Sequence, residues 1–438
     1  MNKRTKTALR RWCLYGWTLT KWTMAASAIG VVCGLIGTMF HFGVHEVTAF
    51  RGTHPWVLYL LPLAGFVIVS FYKLTETDGL GTDDIIDAVH EGKRLPILLL
   101  PAIFFGTVLT HLCGGSAGRE GAALQMGGTI GQCMGRTFRL DDRDLRVATL
   151  AGMAAFFSAL FGTPLAATVF AIMVISIGVL YHVALYPSLL AALVAYGVSV
   201  RLGVEPTRFT VAVPDQSVGM FVRVAALGVL CALVSILFCK LMHGAGHLMK
   251  RIKNPWLRVI CGGFAVIALT WIFGTDYNGA GMDIVTRAIE QETVAVPWAF
   301  LLKLVFTAVT LAAGFKGGEV VPSFFVGATF GCAVSPLLGL PVGFGAAVGL
   351  AAVFCGVTNC PVASTLLAVE LFGAEGMLYF ALACCLSYML SGYQGLYSSQ
   401  TILYSKLKAQ YINVHTNAYH AGEQPDDHSD LRAKAGRE

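Results

Sequence analysis

A glycine-rich turn holds the side chains of this chain that are best suited to chemistry. Residues 113–131 read CGGSAGREGAALQMGGTIG and place Arg119 and Glu120 at the start of an apolar segment. An ionisable residue at such a place is costly, so Glu120 is a candidate functional acid. The glycines let backbone amides converge on a small volume, and a helix that begins there directs its positive end towards it. The turn therefore predicts an anion-binding site.

Glu120 has two interpretations. A carboxyl group removed from water favours its neutral form, whereas surrounding amide donors favour the carboxylate, so a group held in that balance can load and release protons. The alternative is a structural ion pair with Arg119. Because adjacent side chains on a tight turn are expected to point apart, we interpret Glu120 as a proton-carrying residue.

The composition indicates a membrane protein. The chain has 438 residues, of which 56% are hydrophobic and 13% charged, and its mean hydropathy is +0.68; soluble domains carry about 25% charged residues. The apolar stretches cover residues 22–48, 56–72, 95–113, 122–136, 147–200, 217–242, 257–274, 295–315, 320–356 and 361–395. Some exceed the roughly 20 residues of one bilayer crossing and others are shorter. We therefore expect an all-α polytopic membrane protein with broken and tilted helices.

The distribution of basic residues predicts the topology. The first 21 residues contain no acid but six basic residues, which places the N-terminal segment, residues 1–23, in the cytoplasm; these residues are Lys3, Arg4, Lys6, Arg10, Arg11 and Lys21. No signal-peptide cleavage site follows the first apolar run. The formal charge of +6 is thus explained by topology and not by nucleic-acid binding. Residues 404–438 are polar and of mixed charge, and we expect a short, partly disordered cytoplasmic tail.

Patterns typical of enzymes and metal sites are weak. The twelve cysteines form no CxxC pair and most lie in apolar runs, as small buried hydrophobic residues do. His243 and His247 have a spacing that can bind metal, but without a third ligand we interpret them as part of a surface helix. No nucleophile and no second carboxylate pairs with Glu120, so a membrane enzyme is a minor alternative. We expect no cofactor and no metal.

The chain repeats itself at an offset of two hundred residues. Residues 79–83 (GLGTD) recur as 279–283 (GAGMD). The other matching pairs are Thr107 and Thr307, Thr110 and Thr310, Gly118 and Gly318, Gly127 and Gly327, and Gly131 and Gly331, followed by Pro164 with Pro361 and Thr168 with Thr365. The pattern predicts a duplication, with a first membrane repeat over residues 24–210 and a second over residues 211–403.

A repeat with an odd number of membrane crossings inserts its second copy upside down, which brings corresponding loops to the middle of the membrane. Secondary transporters bind their substrates in such loops, between interrupted helices. The alternative is that the glycines only permit close helix packing. We favour packing for Gly127 and Gly131. We favour a binding site for the turns at 79–83, 114–121 and 314–322, which combine glycine with charge or proline.

Four motifs resemble those of a known family. GREG followed by Gln125, GLGTDD near residue 80, GGEVVP at 317–322 and GLYSSQ near residue 397 occur in the order found in the CLC family of anion channels and anion/proton antiporters. The resemblance covers residues 25–405. It implies helix N-termini directed at an anion in the middle of the membrane, an inverted repeat, and a homodimer with one pathway in each subunit.

The resemblance also implies roles for individual residues. Glu120 matches the gating glutamate, which competes with the anion and carries the proton in antiporters. Tyr397 matches the tyrosine whose hydroxyl lines the inner side of the anion site, although taken alone it would more often be an interfacial aromatic residue. The backbone amides of Glu319 and Val320 match positions that coordinate the anion. The full predicted anion site comprises Leu80, Gly118, Arg119, Glu120, Gly318, Glu319, Val320, Val321 and Tyr397.

Three departures from chloride-transporting relatives narrow the resemblance. Leu80 replaces a serine that contacts the anion, Ala122 replaces a proline, and Met173 and Val174 occupy the place of an inner glutamate that relays protons. These departures are shared with a bacterial branch that exports fluoride against protons and has a similar KGGE turn, here Lys316–Glu319. That branch often has methionine at the position of Leu80 and threonine at that of Val321.

We therefore expect a CLC-type fluoride/proton antiporter in a bacterial plasma membrane, with both termini in the cytoplasm. Without the inner relay, Glu120 is expected to carry the proton most of the way alone. The alternative within the family is a chloride/proton antiporter or a passive chloride channel. A cation transporter is weaker, because glycine turns at helix starts favour anions. Two roles remain open for Asp83 and Asp84: they cap a helix, or they repel anions from an entry path.

Overall fold

The computed structural model of the chain describes residues 3–291, 296–406 and 410–417, with side chains from residue 11 onwards. Most of these residues are helical. The first eight helices are α1 (Lys3–Thr53), α2 (Leu61–Leu74), α3 (Thr82–Glu91), α4 (Leu99–Leu112), α5 (Glu120–Thr137), α6 (Asp142–Phe161), α7 (Pro164–Met173) and α8 (Leu185–Arg201). The next eight are α9 (Val218–Met249), α10 (Pro255–Phe273), α11 (Met282–Glu290), α12 (Ala299–Ala313), α13 (Val320–Leu338), α14 (Val342–Thr358), α15 (Pro361–Phe372) and α16 (Met377–Leu390).

The two sets of eight helices follow one plan. The starts of α3 and α11, α4 and α12, α5 and α13, and α6 and α14 lie 200 residues apart, and those of α7 and α15 lie 197 apart. This confirms the duplication and the shortened offset after it. The expected repeat boundary at residues 210 and 211 falls in the helix-free connection between α8 and α9. In contrast, α1 is continuous through residue 23.

The lengths of the helices fit a broken-helix membrane fold. Within the described residues, seven segments are long and apolar enough to cross a membrane: Arg11–Thr53, Pro55–Leu74, Asp142–Phe161, His182–Arg201, Val218–Met249, Pro255–Phe273 and Val320–Leu338. Others, such as α7 with 10 residues and α15 with 12, are too short to cross alone. The expected all-α polytopic architecture is confirmed.

Local sequence explains where these short helices begin. Helix α6 ends at Gly162 and α14 ends at Asn359, both in the left-handed conformation that glycine and asparagine tolerate. Two residues later, Pro164 and Pro361 open α7 and α15, since proline lacks the N–H that the first turn leaves unused. In both repeats, a left-handed residue therefore ends one helix and a proline two residues later begins the next.

Glycines allow the helices of each central pair to touch. A Cβ at Gly127 would overlap the carbonyl oxygen of Gly152, and one at Gly131 would overlap that of Ala148. Gly327 and Gly331 make the equivalent contacts in the second repeat, between α13 and α14. The packing interpretation of these glycines is confirmed, and it fixes α5 against α6 at close backbone distance.

The C-terminal segment adds a small sheet. Strands β1 (Ser176–Ile177), β2 (Thr401–Tyr404) and β3 (Tyr411–His415) lie in that order, with β1 parallel and β3 antiparallel to β2. Residues 411–415, within the tail expected from residue 404, therefore form a strand that pairs with β2. The rest of the expected tail, residues 418–438, lies outside the described residues.

Candidate functional site

The two repeats meet at a pair of glycines. Gly118 and Gly318 donate their N–H groups to each other's carbonyl oxygens, both at 2.7 Å, and form an isolated antiparallel bridge. We call this pair the glycine bridge. A Cβ at Gly318 would overlap the backbone nitrogen of Gly121. Because only glycine permits this approach, the starts of α5 and α13 are brought against each other.

Threonines predicted from the repeat support the bridge symmetrically. The backbone N–H of Ser116 donates to Thr310 Oγ1 at 3.1 Å, and the N–H of Lys316 donates to Thr110 Oγ1 at 3.2 Å. Each repeat thus holds the other's turn through equivalent atoms. All four residues lie just before the helix starts or on the helices preceding them, so the contacts orient the first-turn N–H groups, which have no intrahelical partners.

Glu120 is buried at the bridge, with a residue exposure of 1%. Its Oε2 accepts a hydrogen bond from the backbone N–H of Arg119 at 2.9 Å. Its Oε1 accepts none from the described residues and lies 3.4 Å from Arg119 Nε. The expectation that the two side chains point apart is therefore wrong: the turn bends the guanidinium back towards the carboxylate. One carboxylate oxygen nevertheless remains open to a further partner.

A cavity of about 490 Å³ opens on one side of the glycine bridge. We call it the Arg119 cavity. It is rich in basic side chains, although Asp276 and Asp283 also line it. Its lining also includes His41, His45, Arg51, His111, Arg119, Glu120, Arg287 and Val321. Its wall comes from both repeats, and its charge suits the approach of an anion.

A second cavity, of about 260 Å³, opens on the other side. We call it the Tyr397 cavity. Its lining includes Leu80, Lys316, Glu319 and Tyr397. Tyr397 is only 2% exposed, and its hydroxyl has no hydrogen-bond partner among the described residues. A buried hydroxyl without a partner is costly, and its place on the cavity wall makes it available as a donor to an anion.

The bridge separates the two cavities. Glu120 and Val321 line the Arg119 cavity, whereas Gly317 and Glu319 line the Tyr397 cavity. The side chain of Glu319 reaches towards the start of α5, since a Cβ placed on Gly121 would lie 3.7 Å from Glu319 Oε2. The predicted anion-binding residues therefore come together here, on both sides of one constriction.

Asp83 and Asp84 also line the Tyr397 cavity, but their carboxylates have partners. Asp84 Oδ2 accepts the N–H of Gly81 at 2.9 Å, which caps the start of α3, and its Oδ1 accepts from Lys93 at 2.7 Å. Asp83 Oδ1 accepts the N–H of Ser399 at 3.1 Å. Capping is therefore confirmed for Asp84, whereas Asp83 joins the segment just before β2 to α3.

Met173 and Val174, which stand where an inner proton-relaying glutamate was expected, line neither cavity. Val174 is buried, and its carbonyl oxygen accepts a hydrogen bond from Gln400 Nε2 at 3.0 Å. Met173 packs against the hydrophobic core. No role was predicted from the sequence for His41 or for His111, which both line the Arg119 cavity. The one sequence signal for either residue is a histidine that lies within an apolar segment.

Comparisons with known proteins agree with this geometry. Residues 63–392 match the family described as voltage gated chloride channel. A chloride/fluoride channel protein of Pseudomonas syringae pv. tomato is 38% identical over 400 residues, which are 89% of this chain and 88% of that protein. An H(+)/Cl(-) exchange transporter, ClcA of Vibrio campbellii, is 24% identical over 404 residues, 84% of this chain and 85% of that protein.

Solved structures share the fold. The crystal structure of a CLC-type fluoride/proton antiporter superposes with a TM-score of 0.85 at 33% identity, covering 88% of this chain and 99% of that one. A slow cyanobacterial Cl-/H+ antiporter superposes with a TM-score of 0.73 at 19% identity, covering 85% of this chain and 94% of that one. The mutual hydrogen bonds of the two repeats, the opposed helix starts and these matches lead to one conclusion: this chain is a multi-pass membrane protein that belongs to the voltage gated chloride channel (CLC) family.

Proposed function

We propose that this protein is a fluoride/proton antiporter that uses inward proton movement to export fluoride. The observation that carries the proposal is the position of Glu120. Its buried carboxylate lies at the constriction between two cavities, with Oε1 accepting no hydrogen bond from the described residues. Support for fluoride as the anion comes from the 38% identical chloride/fluoride channel protein and the 33% identical fluoride/proton antiporter.

Glu120 acts as both gate and proton carrier. From the Arg119 cavity a proton is added to Glu120 Oε1, which lowers the attraction of the carboxyl group for Arg119 and frees it to rotate past Gly118. Fluoride from the Tyr397 cavity then occupies the position that the carboxylate leaves. Fluoride is small and strongly hydrated, so it needs strong donors. The first-turn N–H groups of α5 and α13 and the Tyr397 hydroxyl provide them.

Glu319 receives the proton on the other side. Its side chain lines the Tyr397 cavity and approaches the start of α5. This role replaces the expectation that Glu120 carries the proton most of the way alone. Lys316 Nζ lies 4.1 Å from the ring centre of Tyr72 on the same cavity wall, where a cation attracts an incoming anion.

The proposal extends to the membrane orientation, the cellular location and the oligomeric state. The basic N-terminal residues favour a cytoplasmic N-terminus, so the Arg119 cavity, formed partly by the far end of α1, faces outwards and the Tyr397 cavity faces inwards. A bacterial plasma membrane is the location that fits relatives from Pseudomonas and Vibrio. The family resemblance supports a homodimer, which the mass of the purified protein–detergent complex tests directly.

Reconstitution into liposomes tests the transport cycle. An imposed pH gradient is expected to drive fluoride uphill through the wild type, followed with a fluoride electrode, while a pH electrode reports the opposing proton flux. The variant Glu120→Ala is expected to lose proton coupling and to retain passive fluoride flux, because the carboxyl group that carries the proton is gone.

Chloride measured in the same liposomes decides between the family alternatives. Proton-coupled chloride flux that exceeds fluoride flux would assign a chloride/proton antiporter, and chloride flux without proton movement would assign a channel. Fluoride flux in the wild type that is independent of the pH gradient would overturn the antiport mechanism itself.

A further inference from the structure

Arg119 has a second partner besides Glu120. Its Nη1 lies 3.0 Å from Nδ1 of His41, which is on α1 and lines the same Arg119 cavity as the arginine and the glutamate. The three side chains thus form a row: imidazole, guanidinium, carboxylate. The guanidinium reaches Glu120 only through Nε, at 3.4 Å from Oε1, and its Nη1 end is held by the histidine.

The chemistry of the contact fixes the state of His41. A guanidinium has donors only, so His41 Nδ1 must accept, which requires a neutral imidazole with its proton on Nε2. Protonation of Nδ1 would place two N–H donors and two positive charges against each other at this distance. The His41–Arg119 hydrogen bond and a protonated His41 therefore exclude each other.

We propose that His41 is a positioning residue that makes transport sensitive to the pH of the Arg119 cavity, an inference that rests on the proposed function. With His41 neutral, Arg119 faces Glu120 only through Nε, so Oε1 accepts no hydrogen bond within the described part of the chain and can take a proton. When His41 is protonated, Arg119 is released and pairs end-on with the Glu120 carboxylate. That pairing stabilises the charged form in two hydrogen bonds and keeps Glu120 from loading protons.

Charged and titratable groups from several helices surround His41. On α1, His45 stacks on His41 with ring centres 6.4 Å apart, and Arg51 instead donates to the carbonyl oxygen of His111 on α4 at 2.6 Å. Glu120 and Arg119 face it from the start of α5. The cavity wall from the second repeat adds Asp276, Asp283 and Arg287.

Two further helices, α8 and α6, pack along α1. Helix α8 carries Arg201 at its exposed end. Helix α6 has its charged residues in its first turns, where Asp144 pairs with Lys21, twenty residues along α1 from His41. Protonation of His41 in this way limits proton entry when the outside becomes acidic.

Three proteins in the liposome assay separate the possibilities: wild type, His41→Gln and His41→Ala. Glutamine supplies an oxygen acceptor for Arg119 but does not titrate, and alanine supplies no acceptor. Burial and the neighbouring Arg119 and His45 disfavour a charged imidazole at His41, so the outer pH is lowered from 7.5 to 3.0 to protonate it. We expect the initial fluoride rate of His41→Gln at pH 3.0 to exceed that of the wild type by about fivefold or more, with similar rates at pH 7.5. His41→Ala is expected to be slow at both values.

Glu120 is common to all three proteins, so its own titration cancels in the comparison. A His41→Gln variant with the acid dependence of the wild type would overturn the proposal, whatever His41→Ala does. If the wild type carries fluoride without proton coupling, the proposed antiport fails, whereas the rate comparison between wild type and His41→Gln still decides the role of His41.

Discussion

Glu120 and Glu319 place one carboxyl group on each side of the glycine bridge. Glu120 is at the wall of the Arg119 cavity, and Glu319 is at the wall of the Tyr397 cavity, close to Gly121. A single carboxyl group cannot face both cavities at once, so the proposed cycle passes the proton from Glu120 to Glu319. In this proposal the pair replaces the inner glutamate that the family resemblance led us to expect at the place of Met173 and Val174.

Glu319→Gln tests this path at the level of one residue. Glutamine keeps the size of the side chain but neither carries a proton nor ionises, so we expect proton flux coupled to fluoride to fall by about a hundredfold, while passive fluoride flux persists. Proton and fluoride fluxes in liposomes measure both quantities.

Asp83→Asn is the matched control, because it removes a charge from the wall of the same cavity at a carboxylate already bound by the N–H of Ser399. We expect it to retain coupling. Wild-type proton flux in Glu319→Gln would contradict the two-carboxylate path.

The helix pairs α5 with α6 and α13 with α14 hold the bridge in place. Both carboxyl groups are at or next to the first residue of a helix, so the position of the helix start sets the position of the acid. The close backbone contacts at Gly127 and Gly131, repeated at Gly327 and Gly331, leave no room for a side chain. Each pair therefore behaves as one rigid body on which the site is built.

Gly131→Ala tests this packing. The added methyl group would overlap the carbonyl oxygen of Ala148, and backbone cannot move aside as a flexible side chain can, so we expect a loss of about 1–3 kcal/mol of stability. Thermal unfolding in detergent measures it as a lower apparent Tm.

Gly244→Ala, on α9, is the control, since nothing lies within 4 Å of its Cβ position and alanine is the better helix former by about 0.5–1 kcal/mol. We expect an unchanged or higher Tm. Equal Tm values for Gly131→Ala and the wild type would show that α5 and α6 are not rigidly packed.

In the proposed topology, the whole molecule presents its two cavities to opposite sides of the membrane. Cys13 is exposed near the start of α1, and the Arg119 cavity is formed partly by residues near the other end of that helix. With a cytoplasmic N-terminus, Cys13 and the Tyr397 cavity face inwards.

A membrane-impermeant maleimide tests this orientation. We expect Cys13 to react in inside-out vesicles and not in right-side-out vesicles, with Cys13→Ser as the control that reports any labelling of the other exposed cysteines, Cys261 and Cys385. Arg287→Cys in the Cys13→Ser background, on the wall of the Arg119 cavity, is expected to show the opposite pattern. Labelling of Cys13 from outside would reverse the proposed direction of transport.

Much of this architecture was predictable because it is encoded locally. Apolar composition predicts a membrane protein, and glycine and proline mark where α5, α13, α7 and α15 begin, since these residues act on the backbone at their own positions. The duplication keeps these glycines and prolines at a nearly fixed spacing, so it could also be recognised in the sequence. Glu120 could be singled out because a charged residue within an apolar segment is visible in the sequence itself, without knowledge of its contacts.

Contacts between distant parts of the chain were decided by the tertiary structure alone. The sequence determined the membrane class, the helix starts and the glycine turn around Glu120, because each depends on neighbouring residues. Only the folded chain brings Arg119 against both Glu120 and His41, sends Glu319 to the opposite cavity and pairs residues 411–415 with the sheet. Apart from the contact between the adjacent residues Arg119 and Glu120, these contacts join residues about ten to hundreds of positions apart, and which of them form depends on how the two repeats pack together.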